Sequence, residues 1–514
     1  PFWLKSDHVS SIFRQPYHLV AGALLGLARK AMRRAPLALA LLASAWRRGG
    51  ALGRDEDIAS TLTSEHLDEN ASTIPLDGVS WRLQGGGNRQ ELSNFEDMQY
   101  FTRIKVGGQE ITGIIDTGSF ELVVFENHCN GCGLAGRYDK MTSGTSSAGP
   151  LEQRLYYGSG DVFVTQAFDL VSIGSFDAVN QTFWQGDDAH MPVLEFAKFQ
   201  SIIGVGPPET PANDFWVKTS QAIDRVRKTL ATGNIPSQTA TRKVMDHLQA
   251  SMEMSRHKTL LHQYHVGAFS LCLGKRPGAN GFFIWNDTSP FASPSLFRHI
   301  KVIGRHTWTV NMTDVLLTQG QRNVAPLGCS TGCGAVIDSG TSLLMMPSSV
   351  VDMLERAVIE LHADCRNMHT LPEFAFHLDG HRFSLPPDAY LAELDGPQAF
   401  HEGDERARVR NLRLGAHCQL TVMESYSDTH WGPLWIIGMP FFRKYYTSFS
   451  VGKSHDERSL YVAPASPGCT PTSAAMSLAE DRSQDGFTHR RFNLSHMYLP
   501  PLVRKAATAD FVHL

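Results

Sequence analysis

Residues 114–125 read IIDTGSFELVVF, a run of apolar residues interrupted by Asp116, Thr117, Gly118 and Ser119. A lone carboxylate in such a strand is costly unless something pairs with it or hydrogen-bonds it. The chain offers a partner. Residues 335–347, AVIDSGTSLLMMP, repeat the order: two apolar residues, Asp338, Ser339, Gly340, Thr341, then another apolar strand. Each copy is followed at a similar distance by an apolar pair and a glycine, SIIGV at Gly204 and WIIGM at Gly438. One β unit used twice, far apart, is most simply two similar lobes facing each other. Each lobe then presents one carboxylate to a shared cleft.

Composition agrees with a folded body and excludes some functions. The 514 residues are 42% apolar and 19% charged, ordinary for a globular protein with a full core. The net charge of −4 hides an asymmetry: residues 1–54 carry nine Lys or Arg against Asp7 alone. The rest keeps 38 basic and 50 acidic side chains, so it has no basic face of the kind nucleic acids need. The basic head also contains two apolar runs, 19–28 and 36–46, the second ending in Ala43, Ser44 and Ala45. Charge, apolar run and small residues in that order follow secretory-signal logic, in a run too short for a comfortable membrane span. A signal-anchor and an amphipathic surface helix are the alternatives, and membrane attachment through residues 1–60 stays open.

From about Phe95 the pattern is strands. Val106-Gly107-Gly108-Gln109 and Asp379-Gly380 mark hairpins. Further strands are expected at DVFVTQAFDLVSIG, GAFSLCLG, FFIW and HTWTVNMTDVLL, and a helix over 350–365. The expected organisation is a targeting segment (1–60), a prosegment or N-terminal strand (61–94) and an N-terminal lobe (95–280) with a polar, helix-prone insertion at 211–265. A C-terminal lobe (281–465) and a loosely ordered tail (466–514) follow. Eight cysteines include the close pairs Cys129/Cys132 and Cys329/Cys333. The two close pairs are separated by 196 residues and no His pair sits nearby at metal spacing, so disulfides in an oxidising compartment fit better than zinc ligation. Cys272 alternates with apolar neighbours and reads as a buried thiol, while Cys469 is free or pairs outside the domain. Sequons at Asn70, Asn180, Asn286, Asn311 and Asn493 are permissive for a secretory protein.

From about Glu91 to Ala463 the chain resembles the eukaryotic pepsin-like aspartic proteases. The resemblance rests on DTGS, DSGT, the tetrapeptide Tyr157-Gly158-Ser159-Gly160, both apolar-apolar-glycine strands and LPEFAFHLDGHRFSLPPDAYL. It implies a mainly β, bilobal fold, two similar β lobes with the active-site cleft between them. It implies an aspartic endopeptidase acting on peptides or proteins as a monomer, without metal or cofactor. Two carboxylates about 3 Å apart share one proton, and aspartic proteases are the standing example of this. Asp116 and Asp338 would be that pair, activating a water. Thr117 and Ser339 would cross-link the two loops; Ser119 and Thr341 would bond the outer carboxylate oxygens. Gly118 and Gly340 would let the backbone turn and leave room for substrate.

Tyr157 to Gly160 would be the tip of a flap closing over bound peptide. Ile114, Phe199 and Ile202 would line a pocket for large apolar side chains. The family's three usual disulfides have counterparts in Cys129–Cys132, Cys329–Cys333 and Cys365–Cys418. Two departures stand out. Val123 occupies the place, seven residues after the first Asp, where the family usually has a Trp bonded to the flap tyrosine. Residues 55–95 hold only Arg82 and Arg89 as basic residues, unlike a long basic prosegment. The targeting head with such a prosegment is similar to the parasite plasmepsin-like branch.

Rival readings are weaker. Gly328-Cys329-Ser330-Thr331-Gly332 matches a nucleophile elbow, which must join a strand to a helix; a β-type sequence follows here. The sequence has no HExxH, and Gly85–Gly87 lacks the strand-turn-helix setting of a nucleotide site. A relative that binds peptide without cutting it is the remaining alternative; such proteins typically lose a catalytic Asp or its glycine, and both are present.

Overall fold

The computed structural model describes residues 88–208, 238–254, 256–320, 322–360, 365, 367–395, 418–476 and 489–493, with scattered residues between 221 and 232. The apolar runs at 19–28 and 36–46, residues 61–87, Asn70 and the side chain of Cys418 lie outside these. The chain divides into two units. Of the smaller, Pro1–Asp68 with Thr229–Asn234, only Thr229 and Thr232 are described, and the Thr232 hydroxyl donates to the Thr229 carbonyl. Everything below belongs to the larger, Glu69–Lys228 with Ile235–Leu514.

Its first strands are β1 (Asn88–Phe95), β2 (Gln99–Val106), β3 (Gln109–Asp116), β4 (Leu122–Asn130), β5 (Ser147–Tyr157), β6 (Gly160–Ile173), β7 (Val179–His190) and β8 (Ser201–Gly204). After the helices Gln238–Met254 and Leu260–Gln263 come β9 (Ala268–Cys272), β10 (Gly281–Trp285), β11 (Arg298–Lys301), β12 (Thr309–Gln319), β13 (Arg322–Gly328), β14 (Cys333–Ile337) and β15 (Leu344–Pro347). The helix Ser348–Glu360 leads to β16 (Glu373–Leu378), β17 (His381–Leu385), β18 (Leu391–Asp395), β19 (Cys418–Leu420), β20 (Val422–Ser425), β21 (Asp428–Thr429) and β22 (Gly432–Ile437). The helix Met439–Lys444, β23 (Tyr445–Ser450), β24 (Ser459–Pro464) and β25 (Arg491–Asn493) are the last among the described residues.

The duplication read from sequence is a duplication of pairing. In a 13-stranded sheet β3 runs parallel to β8, with Asp116 opposite Gly204, and β8 is antiparallel to β4. In a nine-stranded sheet β14 runs parallel to β22, with Ile337 opposite Ile437, and β22 is antiparallel to β15. The fold is mainly β and bilobal. A Cβ on Gly438 would stand 2.1 Å from the Leu343 carbonyl oxygen, so the apolar-apolar-glycine strand ends where another backbone crosses it. The Gly107-Gly108 hairpin joins β2 to β3, both glycines at positive φ (57° and 77°), as a two-residue primed turn requires.

Three expectations need correction. Cys272 is not a free thiol: it is bonded to Cys469. The residues after Pro464 are not uniformly loose, because that disulfide and buried Ala465 tie residues 465–472 to the body. Farther on, β25 adds in parallel to β18, Phe492 is buried, and Arg490 pairs with Asp388 at 2.5 Å and Asp97 at 3.7 Å. Periodicity could not show this, since each anchor is one residue in a polar stretch. Finally, the helix-prone insertion ends inside the core: Leu260, Leu261 and Tyr264 belong to the main apolar cluster.

Candidate active site

Asp116 is the last residue of β3, and Asp338 follows β14 directly. Parallel pairing with β8 and β22 delivers both loops to one place, where both carboxyls are buried, at 6% and 8% exposure. The loops are tied reciprocally. The Thr117 hydroxyl donates to the Ile337 carbonyl (2.8 Å) and accepts from the Ser339 amide (2.9 Å). The Ser339 hydroxyl donates to the Ile115 carbonyl (2.7 Å) and accepts from the Thr117 amide (3.1 Å).

The carboxyls are treated alike. Asp116 accepts from the Gly118 amide (2.9 Å) and the Ser119 hydroxyl (2.5 Å). Asp338 accepts from the Gly340 amide (2.8 Å) and the Thr341 hydroxyl (2.5 Å). The glycines face the opposite loop: a Cβ on Gly340 would lie 2.3 Å from Asp116 Oδ1, and one on Gly118 2.7 Å from the Asp338 carboxyl. Glycine is therefore needed to let each carboxyl approach the other backbone. Burial first, then the charge of Asp338, pushes Asp116 up to about 7 against the opposing Ser119 and Gly118 bonds; a hydrogen bond that protonated Asp116 donates to Asp338 adds to the rise. Two neighbouring buried carboxyls resist double ionisation, which is the direction of this shift.

Tyr157 ends β5 and Gly160 opens β6, so Gly158 and Ser159 form the tip of a β5–β6 hairpin. The Tyr157 phenol is raised well above its ordinary value by burial, Glu121 and Asp116, which sets the hairpin beside the carboxyl pair. Ile114, Phe199 and Ile202 come together in one apolar cluster, and Tyr157 packs on it. Phe199 and Ile202 are its buried interior; half-buried Phe101, Leu151 and Leu155 pack on it as well. Phe101 was legible in retrospect, as the cross-strand partner of Ile114. Glu121, buried near Tyr157, carried no motif to mark it. Cys129–Cys132 and Cys329–Cys333 are disulfides, and Cys365 is disulfide-bonded too. Ser330 sits in the turn closed by Cys329–Cys333, between two strands, with no helix to make an elbow.

The family model for eukaryotic aspartyl proteases matches residues 99–457, more than half of the chain. The chain belongs to the eukaryotic aspartyl protease family. This protease is 26% identical over 407 residues to the renin of Ovis aries, covering 75% of this chain and 88% of that protein. It is 27% identical over 373 residues to the renin of Rattus norvegicus, covering 70% and 78%. It is 26% identical over 367 residues to pepsin A of Gallus gallus, covering 70% and 83%. By family it is an aspartic-type endopeptidase, a hydrolase of peptide or protein substrates. Among the described residues no helix is long and apolar enough to cross a membrane, and no cluster of His, Cys, Asp or Glu could hold a metal ion.

Proposed function

We propose that this protease cuts peptide bonds with a water activated between Asp116 and Asp338, next to large apolar side chains. The observation carrying the reading is the reciprocal pair: two buried carboxyls, each with a backbone amide and a hydroxyl donor from its own loop. The ionised member takes a proton from water as its oxygen attacks the scissile carbonyl carbon. The protonated member donates to the carbonyl oxygen, giving a neutral gem-diol. Collapse breaks the C–N bond: the amine leaves with the proton of the protonated member, a gem-diol hydroxyl gives its proton to the ionised member as the C=O re-forms, and the pair again holds one proton. Tyr157 and the hairpin tip cover the substrate and exclude water. Ile114, with the apolar cluster behind it, favours large hydrophobic side chains at the cut. The basic, apolar head and the disulfides support work in the secretory pathway or outside the cell.

The test is digestion of a mixed peptide library by wild type, Asp116→Ala and Asp338→Ala, with and without a statine-type transition-state mimic. Cleavage between large apolar residues, lost in either variant and blocked by the mimic, is the expected result. Undiminished cleavage by either variant would overturn the pair. Cutting by wild type with no apolar preference would overturn only the pocket.

A further inference from the structure

We infer that Trp184 positions the flap: its indole N–H donates to the Tyr157 phenol oxygen when the hairpin closes on peptide, and His257 braces the indole. The inference rests on the endopeptidase reading above and adds to it a positioning residue on β7.

The first observation is a pair of unsatisfied atoms. Tyr157 Oη and Trp184 Nε1 are both buried without a hydrogen-bond partner, and both residues belong to the wall beside the cleft. Buried polar groups without partners are rare, and one indole-to-phenol bond would satisfy both. The indole can only donate and the phenol oxygen can accept, so the direction is fixed.

The second observation is register. Val123, on the strand leaving the Asp116 loop, lies directly opposite Trp184 in the parallel β4–β7 ladder. Paired residues in neighbouring strands put their side chains on the same face, about 4.8 Å apart. A small residue on β4 and an indole on β7 therefore fill one space between them. Trp184 is fully buried there.

The third observation is what backs the indole. His257, just past the insertion helix Gln238–Met254, stacks on Trp184 with ring centroids 5.1 Å apart and planes at 20°. Met254, from the end of that helix, is buried in the same cluster. The insertion thus reaches the wall on which the flap tyrosine rests. One rival acceptor stands nearby: Gln166 pairs with Trp184 across the β6–β7 ladder, and its buried amide also lacks partners.

The experiment measures kcat and KM on an apolar peptide, and affinity for the statine-type mimic by calorimetry, for the full chain. Trp184→Phe, which keeps the stack and loses the N–H, should lower kcat/KM and mimic affinity about tenfold. Tyr157→Phe should cost as much, and the double variant no more than either alone. Unchanged kinetics in Trp184→Phe, or additive losses, would overturn the contact. Coupling to Gln166→Met in place of Tyr157→Phe would overturn it too, placing the acceptor on β6. If Trp184→Phe fails to fold, Val123→Trp combined with Trp184→Gly moves the indole one strand across. Retained activity in that pair supports the assignment; a folded pair losing more than a hundredfold opposes it. His257→Phe should preserve activity and His257→Ala lose severalfold; equal activity in both would remove the brace. A wild type that neither cuts peptide nor binds the mimic would sink the endopeptidase reading itself, a result distinct from all the others.

Discussion

Asp116 is held between opposing effects: burial and Asp338 favour its proton, while Ser119 and Gly118 favour its charge. The first two win, so the alkaline limb of the pH–rate profile should fall near 7, well above the range of an ordinary carboxylate. Ser119→Ala removes a bond that lowers the value and should move that limb upward by about one pH unit, read from kcat/KM against pH. Gly340→Ala puts a methyl 2.3 Å from Asp116 Oδ1 and forces a shift. Its expected outcome is a folded protein with at least about a hundredfold loss in kcat, since displacements near 1 Å cost that much. At this scale the sequence was highly legible, because Asp, its glycine and its two hydroxyl residues lie within four consecutive positions. Trp184 and His257 were not legible: each acts through a neighbour on another strand, and nothing local marks either.

Among elements, the hairpins and the doubled β unit could be read because glycine pairs and period-two alternation are local signals. The long-range ties could not. Cys272 looked like an ordinary buried position in β9, and its bond to Cys469 depends on where a polar segment travels after β24. The bridge sits beside the start of the body, since Arg89 on β1 donates to the Cys469 and Gly468 carbonyls and stacks on Phe282. Replacing both cysteines by serine should therefore loosen β1 together with the chain past β24. The expected cost is about 3 kcal/mol, measured as a lowered denaturation midpoint with a steeper slope, because the unlinked denatured chain exposes more surface. Removing the two β25-side contacts with Arg490→Met leaves buried Asp97 and half-buried Asp388 without their shared cation. That variant should lose several kcal/mol in the same assay, more than Arg491→Met, whose partner Glu393 it meets at the surface.

Across the whole molecule, two groups set opposite pH limits on stability. Burial holds His257 down to about 4, so between that value and 6.5 the unfolded chain binds the extra proton. Its contribution is present above 6.5 and lost as pH falls through 4, up to roughly 3 kcal/mol. Asp116 is raised, so its contribution is present below 3.8 and fades as pH rises through about 7. The two slopes oppose each other between pH 7 and 4, so the readout is a difference: relative to wild type, the urea midpoint of His257→Phe should rise as pH falls through that window. A consequence for biosynthesis follows from the buried Asp97. Its carboxylate meets Arg490, which is encoded near the other end of the described chain. Ribosomes add roughly 5–20 residues per second, so this counter-ion emerges on the order of tens of seconds after the acid it neutralises. Until then the nascent chain can shape both sheets but cannot lock them. β25, the last strand among the described residues, works as a delayed latch, and a messenger truncated shortly before it would release a protein with its motifs intact and its closing charge missing.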